Sequence, residues 1–282
     1  MTIKSLYLSD LDGTLLNSNK DISEFTRGTI NRLIDKGVNF SVATARTAVS
    51  TTKMLEGVHI NVPVILMNGA AIYDIVNGKY IKTEIIPQEM GYAVLDILRK
   101  HQISAFMYAV SDNKLQVYYE VLDTPALQDY YDERVTKYAK PFVQVNCFSD
   151  KMIDNKVIYF VLMDTRDRLA DVMHHVKKVQ SIDMVLSNDV YVDNLWYLEI
   201  YAENASKYNA ANYIRNYCGF DRVIGFGDNI NDLPLLNACD EFYAVANALQ
   251  EIKEKATGVI GDNNSDAVPK FIVKQEAELE RR

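Results

Sequence analysis

The chain has 282 residues, a length comfortable for two domains and for a sizeable core. Its 48% hydrophobic and 24% charged residues are those of an ordinary soluble globular protein. A net charge of −8 argues against a general nucleic-acid binder, and Arg281-Arg282 is too short to count as a basic tail.

The first apolar run, Leu6-Tyr7-Leu8-Ser9, reads as a strand and ends at an acidic turn, Asp10-Leu11-Asp12-Gly13-Thr14. Helical periodicity follows from Ile22 to Lys36, with Asp21 or Ser23 as N-cap and Gly37 as the stop. A strand is expected from Val38 to Ala43, a helix from Ala48 to Leu55 and a further strand from Val62 to Met67. That alternation is the mark of a parallel sheet with crossover helices. Ile72–Val76, Asn77-Gly78 and Lys79–Ile81 then predict a hairpin with a type I′ turn.

From about Thr83 to Asp189 the chain is Tyr-rich and the pattern changes. Strands are expected at 104–109, 115–119, 157–163 and 184–187, and helices at 88–101, 124–138 and 166–179. The first pattern returns late: strand 196–201, helix 206–217, strand 223–226, helix 231–236, strand 242–246 and a closing helix from Ser265. The expected fold class is therefore α/β, a doubly wound parallel-sheet (Rossmann-like) core. It is discontinuous, formed by residues 1–83 and 190–282, with an α+β domain of residues 84–189 inserted.

Cys147, Cys218 and Cys239 lie far apart without a CxxC pair or matching His spacing, so neither a structural zinc site nor a disulfide framework is expected. The opening Met1–Ser5 runs straight into a strand and is not expected to be a signal peptide. No apolar run approaches the ~20 residues that span a bilayer. The expectation is a cytoplasmic protein with neither membrane nor nucleic-acid partners.

In an open parallel sheet, sites form beyond the C-terminal strand ends. Polar groups fall there at Asp10/Asp12/Thr14, Thr44/Arg46, Asn68/Gly69 and Asp228/Asn231/Asp232, and Lys207 opens a helix shortly after a strand. Singly, each reads equally well as structure: Asp12-Gly13 as a turn, Asp228–Asp232 as an N-cap, Thr44 as a strand-end residue. Against this, paired carboxylates at the end of a buried strand are costly without compensation, and a Lys at a helix start opposes the macrodipole unless an anion is near. All five groups fall on one edge of one sheet.

Asp10-Leu11-Asp12-Gly13-Thr14-Leu15 resembles motif I of the haloacid dehalogenase-like (HAD) superfamily. Thr44 resembles its motif II, Lys207 its motif III and Gly227-Asp228-x-x-Asn231-Asp232 its motif IV; Asn68-Gly69-Ala70 and Gly261–Val268 are similar to further family segments. The large insert between motifs II and III resembles the Cof-type branch with its α/β cap. Ala45 stands where that family commonly has Gly, and Tyr208 replaces the Gly that often follows the motif III Lys.

The resemblance implies that Asp10 is the nucleophile and Asp12 the general acid/base. It further implies that Leu11, Thr44, Ala45, Lys207 and Asn231 hold the phosphoryl group, and that Mg²⁺ is held by Asp10, the Asp12 carbonyl and Asp228 with Asp232 behind them. Asn68, Gly69 and Arg46 are expected to touch substrate. Charge makes the same demand. Four carboxylates against Lys207 give a pocket of −3 that would repel a phosphate dianion, and all-oxygen ligands favour Mg²⁺ over zinc. The expected partner is a small phosphorylated metabolite, a sugar phosphate or phosphorylated cofactor, hydrolysed through an aspartyl-phosphate on Asp10. A sugar phosphomutase would use the same motifs, and a non-catalytic binder would be expected to have lost some of them.

Overall fold

The computed structural model describes residues 3–189 and 192–281. They form two compact units, Met1–Lys82 with Ser206–Arg282 and, separately, Thr83–Ala205. The first unit opens with β1 (Ser5–Ser9), α1 (Glu24–Asp35), β2 (Asn39–Val42), α2 (Ala48–Met54), β3 (Val64–Leu66), β4 (Ala71–Asp74) and β5 (Lys79–Thr83). Leu6 to Ser9 are all buried, as a central parallel strand covered on both faces requires. Of the two candidate caps for α1, Ser23 acts: its Oγ accepts from Thr26 N at 3.0 Å. Thr26, Thr29, Ile30 and Leu33 form the inward face of this helix.

Two local expectations are corrected here. β3 touches β2 through a single parallel bridge, Ala43 to Ile65, and finds its ladder instead with β4, antiparallel, in a separate sheet ordered β3-β4-β5. The β4–β5 connection is also not type I′, which needs positive φ at both central residues. Only Gly78 has it (φ 64°). The Asp74 carboxylate captures the amides of Val76 and Asn77 and the Asn77 side chain, giving a four-residue loop.

The second unit runs α3 (Gln88–His101), β6 (Ala105–Ser111), β7 (Lys114–Tyr119), α4 (Pro125–Tyr138), β8 (Phe142–Gln144), α5 (Phe148–Met152), β9 (Lys156–Asp164), α6 (Arg166–Val176), β10 (Ile182–Asn188) and β11 (Trp196–Ala202). Its sheet has the order β10-β11-β9-β6-β7-β8. Val94, Leu95 and Leu98 of α3 and Leu169, Val172 and Val176 of α6 bury one face of it, against Met107, Phe160, Leu162, Leu198 and Ile200.

β11 corrects the expected domain boundary. Residues 196–201 do form a strand, but Leu198 pairs with Leu186 of β10 on one side and with Leu162 of β9 on the other. Alternating burial marks a half-covered strand and carries no label of the sheet it joins. The inserted unit therefore extends to Ala205, and the core resumes at Ser206 rather than at 190.

The first unit closes with α7 (Lys207–Cys218), β12 (Arg222–Gly227), α8 (Leu233–Ala238), β13 (Glu241–Ala244), α9 (Gln250–Lys255), β14 (Gly258–Val259) and α10 (Ala267–Leu279). Its main sheet is wholly parallel, in the order β14-β13-β12-β1-β2. From β1 the chain steps outward to β2, and from β12 outward the opposite way. The direction of winding reverses between β1 and β12, where a doubly wound sheet opens a crevice beyond its strand ends. Among the described residues no helix is long and apolar enough to cross a membrane.

Candidate active site

Asp10 stands at that reversal point. Its amide donates to Phe226 O at 2.9 Å, extending the β1–β12 ladder by one residue and fixing the backbone from which the carboxylate projects. The side chain is buried. Lys207 reaches it from the first position of α7, a helix capped by Ser206 Oγ, which accepts from Asn209 N at 3.1 Å. The ammonium is fully enclosed and donates at 2.7 Å to both Asp10 Oδ1 and Asp232 Oδ1. A cation placed against the helix dipole is thereby explained by two intramolecular anions.

Asp232 is spent twice over. Its Oδ1 takes Lys207, and its Oδ2 accepts from the amides of Asp228 (2.9 Å) and Asn229 (3.1 Å), which shapes the turn after β12. Asp228 is held on the other side by Thr14 Oγ1, which donates to its Oδ1 at 2.9 Å. Asp10, Asp228 and Asp232 each present an oxygen within 4.8 Å of the others.

This much negative charge in a small volume shows in the ionisation of the group. Burial, and then the neighbouring Asp232, hold the Asp10 carboxyl well above the usual carboxylate range against the opposing pull of Lys207. Burial and Asp232 likewise push Asp228 up to about 6. Burial alone would lower the Lys207 pKa, but the two carboxylates outweigh it and hold the ammonium charged. Carboxylates reluctant to ionise together are what a bound cation relieves, and an all-oxygen donor set suits a hard divalent ion.

Asp12, two residues on, is exposed, and both of its oxygens are taken by Arg46: Nε to Oδ2 at 2.7 Å and a terminal nitrogen to Oδ1 at 2.6 Å. Arg46 was expected to meet substrate; here it adds a positive charge that the count from sequence omitted. Thr44 is buried, and its hydroxyl accepts from Arg46 N at 3.2 Å, so the hydroxyl hydrogen remains available to another acceptor. Ala45 is exposed beside it, and Leu11 is buried in the core.

Asn68 and Asn231 are brought together, with Asn231 Nδ2 3.5 Å from Asn68 Oδ1. Gly69, expected to touch substrate, packs against the start of α7. At φ 103° it lies so close to the α7 cap that a Cβ there would be 2.2 Å from the carbonyl carbon and oxygen of Ser206. The missing side chain lets the end of β3 and α7 approach.

Sequence reasoning passed over two braces of the acidic turn. Asn247 Nδ2 donates to Gly13 O at 2.8 Å, and Asn263 donates to Leu16 O (2.9 Å) from its side chain and to Asn247 Oδ1 (3.0 Å) from its amide. The one signal was that Asn263 lies in the loop 261–268 already singled out.

Comparison with known proteins decides the class. The sequence profile of the haloacid dehalogenase-like hydrolases matches residues 7–272. The chain belongs to this family.

Among related HAD proteins, 5-amino-6-(5-phospho-D-ribitylamino)uracil phosphatase YwtE of Bacillus subtilis is 25% identical, aligned over 93% of this chain and 95% of its own. Pyridoxal phosphate phosphatase YbhA of Escherichia coli is 26% identical, over 96% and 98%. The crystal structure of TM0651 from Thermotoga maritima superposes with a TM-score of 0.79 at 25% identity, covering 97% of each chain. The fold is the HAD fold with a Cof-type insert, and the chain is a phosphoric monoester hydrolase of that family.

Proposed function

We propose that this HAD phosphatase hydrolyses small phosphorylated metabolites, sugar phosphates or phosphorylated cofactors, with Mg²⁺ as its metal and Asp10 as the nucleophile. The observation that carries the reading is Lys207 Nζ, buried and shared at 2.7 Å between Asp10 and Asp232. It pins one oxygen of Asp10 and leaves the other to attack phosphorus. A carboxylate nucleophile splits phosphoryl transfer into two steps, formation of an aspartyl-phosphate and its hydrolysis. Asp12 gives a proton to the leaving oxygen and then draws one from the attacking water, a role worth about 10²–10⁴-fold. Thr44 turns its free hydroxyl hydrogen to a phosphoryl oxygen, joined by the Leu11 and Ala45 amides, Asn231 and the Lys207 ammonium.

Asp10, the Asp12 carbonyl and Asp228 would hold Mg²⁺, which supplies charge neutralisation at the phosphoryl oxygens. The hydrogen bonds of Asp232 argue for a supporting place: both of its oxygens already accept from Lys207 and from backbone amides. The inserted unit, taken here as residues 83–205, is the specificity domain in this reading. The relatives named for ribitylaminouracil phosphate and pyridoxal phosphate support a leaving group that carries a ring or a polyol. Three free cysteines suit a reducing cytoplasm.

The test is phosphate release from a panel of sugar phosphates, nucleotides and pyridoxal phosphate, with Mg²⁺ and with EDTA, alongside Asp10→Asn. Release by a few members that vanishes in EDTA and in the folded variant is expected. Metal-independent release, or wild-type turnover by Asp10→Asn, would remove the mechanism.

A further inference from the structure

The turn that carries Asp12 is held by side chains that the proposed mechanism leaves unused. Asp12 (φ −75°, ψ 119°) and Gly13 (φ 80°, ψ −4°) are the two central residues of a type II turn from Leu11 to Thr14. The peptide between them carries the Asp12 carbonyl assigned to Mg²⁺. Where that oxygen points therefore depends on how Gly13 is placed.

Gly13 is fixed on two sides. A Cβ there would lie 2.5 Å from Asp228 Oδ2, so its backbone stands directly against the carboxylate of another expected metal ligand. Its carbonyl accepts from Asn247 Nδ2 at 2.8 Å. Asn247 lies in the loop between β13 and α9, and its Oδ1 accepts from the Asn263 amide at 3.0 Å. A backbone N–H needs an oxygen and a backbone carbonyl needs a donor, so the two bonds leave the Asn247 amide a single orientation. Asn263, between β14 and α10, is buried and donates from Nδ2 to Leu16 O at 2.9 Å. Leu16 N in turn closes the segment on Leu11 O at 2.9 Å. The loops that leave two neighbouring parallel strands thus reach across and tie the turn at its middle and at its end.

We infer that Asn247 is a positioning residue for the metal. It holds Gly13 so that the Asp12 carbonyl and the Asp228 carboxylate stay arranged for one divalent cation. Groups that orient metal ligands without touching the metal typically set its affinity by about 10–100-fold. The inference rests on the Mg²⁺ assignment made above and adds to it a neutral side chain outside the acidic cluster. Asn247 is itself exposed, so it can be replaced without opening the core.

Calorimetric titration of Mg²⁺ into full-length wild type, Asn247→Ala and Asn264→Ala tests it. Asn264 Oδ1 accepts from Ser18 N at 2.9 Å, just beyond the turn, and is a brace of the same kind that does not reach Gly13. Asn247→Ala is expected to raise the Mg²⁺ dissociation constant about 10-fold or more, and Asn264→Ala to leave it within about 2-fold. Asn263→Ala, which frees Leu16 O, should weaken Mg²⁺ in the same direction as Asn247→Ala. Hydrolysis then shows a split: kcat of Asn247→Ala returns toward wild type at saturating Mg²⁺, because the ligands are misaligned but all present. Unchanged Mg²⁺ affinity in Asn247→Ala overturns the inference, even if its thermal unfolding midpoint in EDTA falls, and leaves Asn247 a brace of the fold alone. Equal weakening in Asn264→Ala overturns it too, by showing a general loosening of the segment. Wild type that binds no Mg²⁺ defeats the proposed metal and this inference together, whereas Mg²⁺ bound equally well by wild type and Asn247→Ala defeats this inference alone.

Discussion

Replacing Gly69 by alanine tests whether Lys207 is placed by a backbone-to-backbone contact. The new Cβ would stand 2.2 Å from the Ser206 carbonyl carbon and oxygen, where carbon contacts settle at about 3.5 Å. One side must move by more than about 1 Å, and neither is a flexible side chain. Ser206 caps α7 and Lys207 is its next residue, so the movement passes to an ammonium held at 2.7 Å from both Asp10 and Asp232. A shift of about 1 Å takes those bonds beyond the ~3.2 Å reach of a hydrogen bond. Misplacement of that size costs about 10²-fold in rate. Overpacking adds about 1–3 kcal/mol of destabilisation, and a φ of 103° unsuited to alanine about 1–3 kcal/mol more. Turnover on the best substrate of the panel and urea unfolding give the two readings. A variant with wild-type kcat/KM and an unchanged unfolding midpoint would refute the claim that this contact positions Lys207.

Asp232→Asn removes one of the two anions that hold Lys207 and turns either an amide donor toward the ammonium or a donor toward the Asp228 and Asn229 amides. Leaving a buried charge badly matched should cost about 3–5 kcal/mol in urea unfolding, with turnover reduced to match. Because the Asp228 pKa is raised, from 3.8 to about 6, the folded protein binds more protons than the unfolded chain in that window, and wild type loses stability as pH climbs through it. Asp228→Asn lacks this loss, so without metal it should gain on wild type by about 1–2 kcal/mol between pH 4 and 7, after discounting for partial exposure. With Mg²⁺ the order should reverse; thermal unfolding across pH, with Mg²⁺ and with EDTA, reads both signs. In the inserted unit, Phe160→Ala empties a fully buried site in the α3/α6 face and should destabilise by about 3–5 kcal/mol in the same assay.

What the sequence made legible follows from where charge sits against periodicity. A four-residue apolar strand running into two aspartates, and a lysine opening a helix, are local conflicts, and the structure resolves them around one buried ammonium. The helices expected at 88–101 and 166–179 announced themselves by period, and their buried faces are those of α3 and α6, the latter ending at Val176. Sheet membership was not legible: β11 alternates identically whether its neighbours are β9 and β10 or the parallel strands of the core. Nor was the use of Asp232. Spacing placed it in the cluster but could not show that its two oxygens were already bonded to Lys207 and to two amides. The Arg46–Asp12 pair joins residues 34 positions apart through side chains alone, and no pattern of either segment forecasts it.

The adjacency of β1 and β12 sets the order in which the protein can become an enzyme. Ser5–Ser9 leaves the ribosome long before its partner Arg222–Gly227 and the lysine that pins Asp10, which come more than 190 residues later. At about 5–20 residues per second, Asp10 waits on the order of ten seconds or more for its partners to exist. The stretch Thr83–Ala205 is complete before that, with strands β6 to β11 paired among themselves in the described residues. A nascent or truncated chain can thus carry a finished insert and a wholly inert core. Appearance of phosphatase activity during synthesis would time the closing of the last parallel strands, making the enzyme a clock for its own long-range folding.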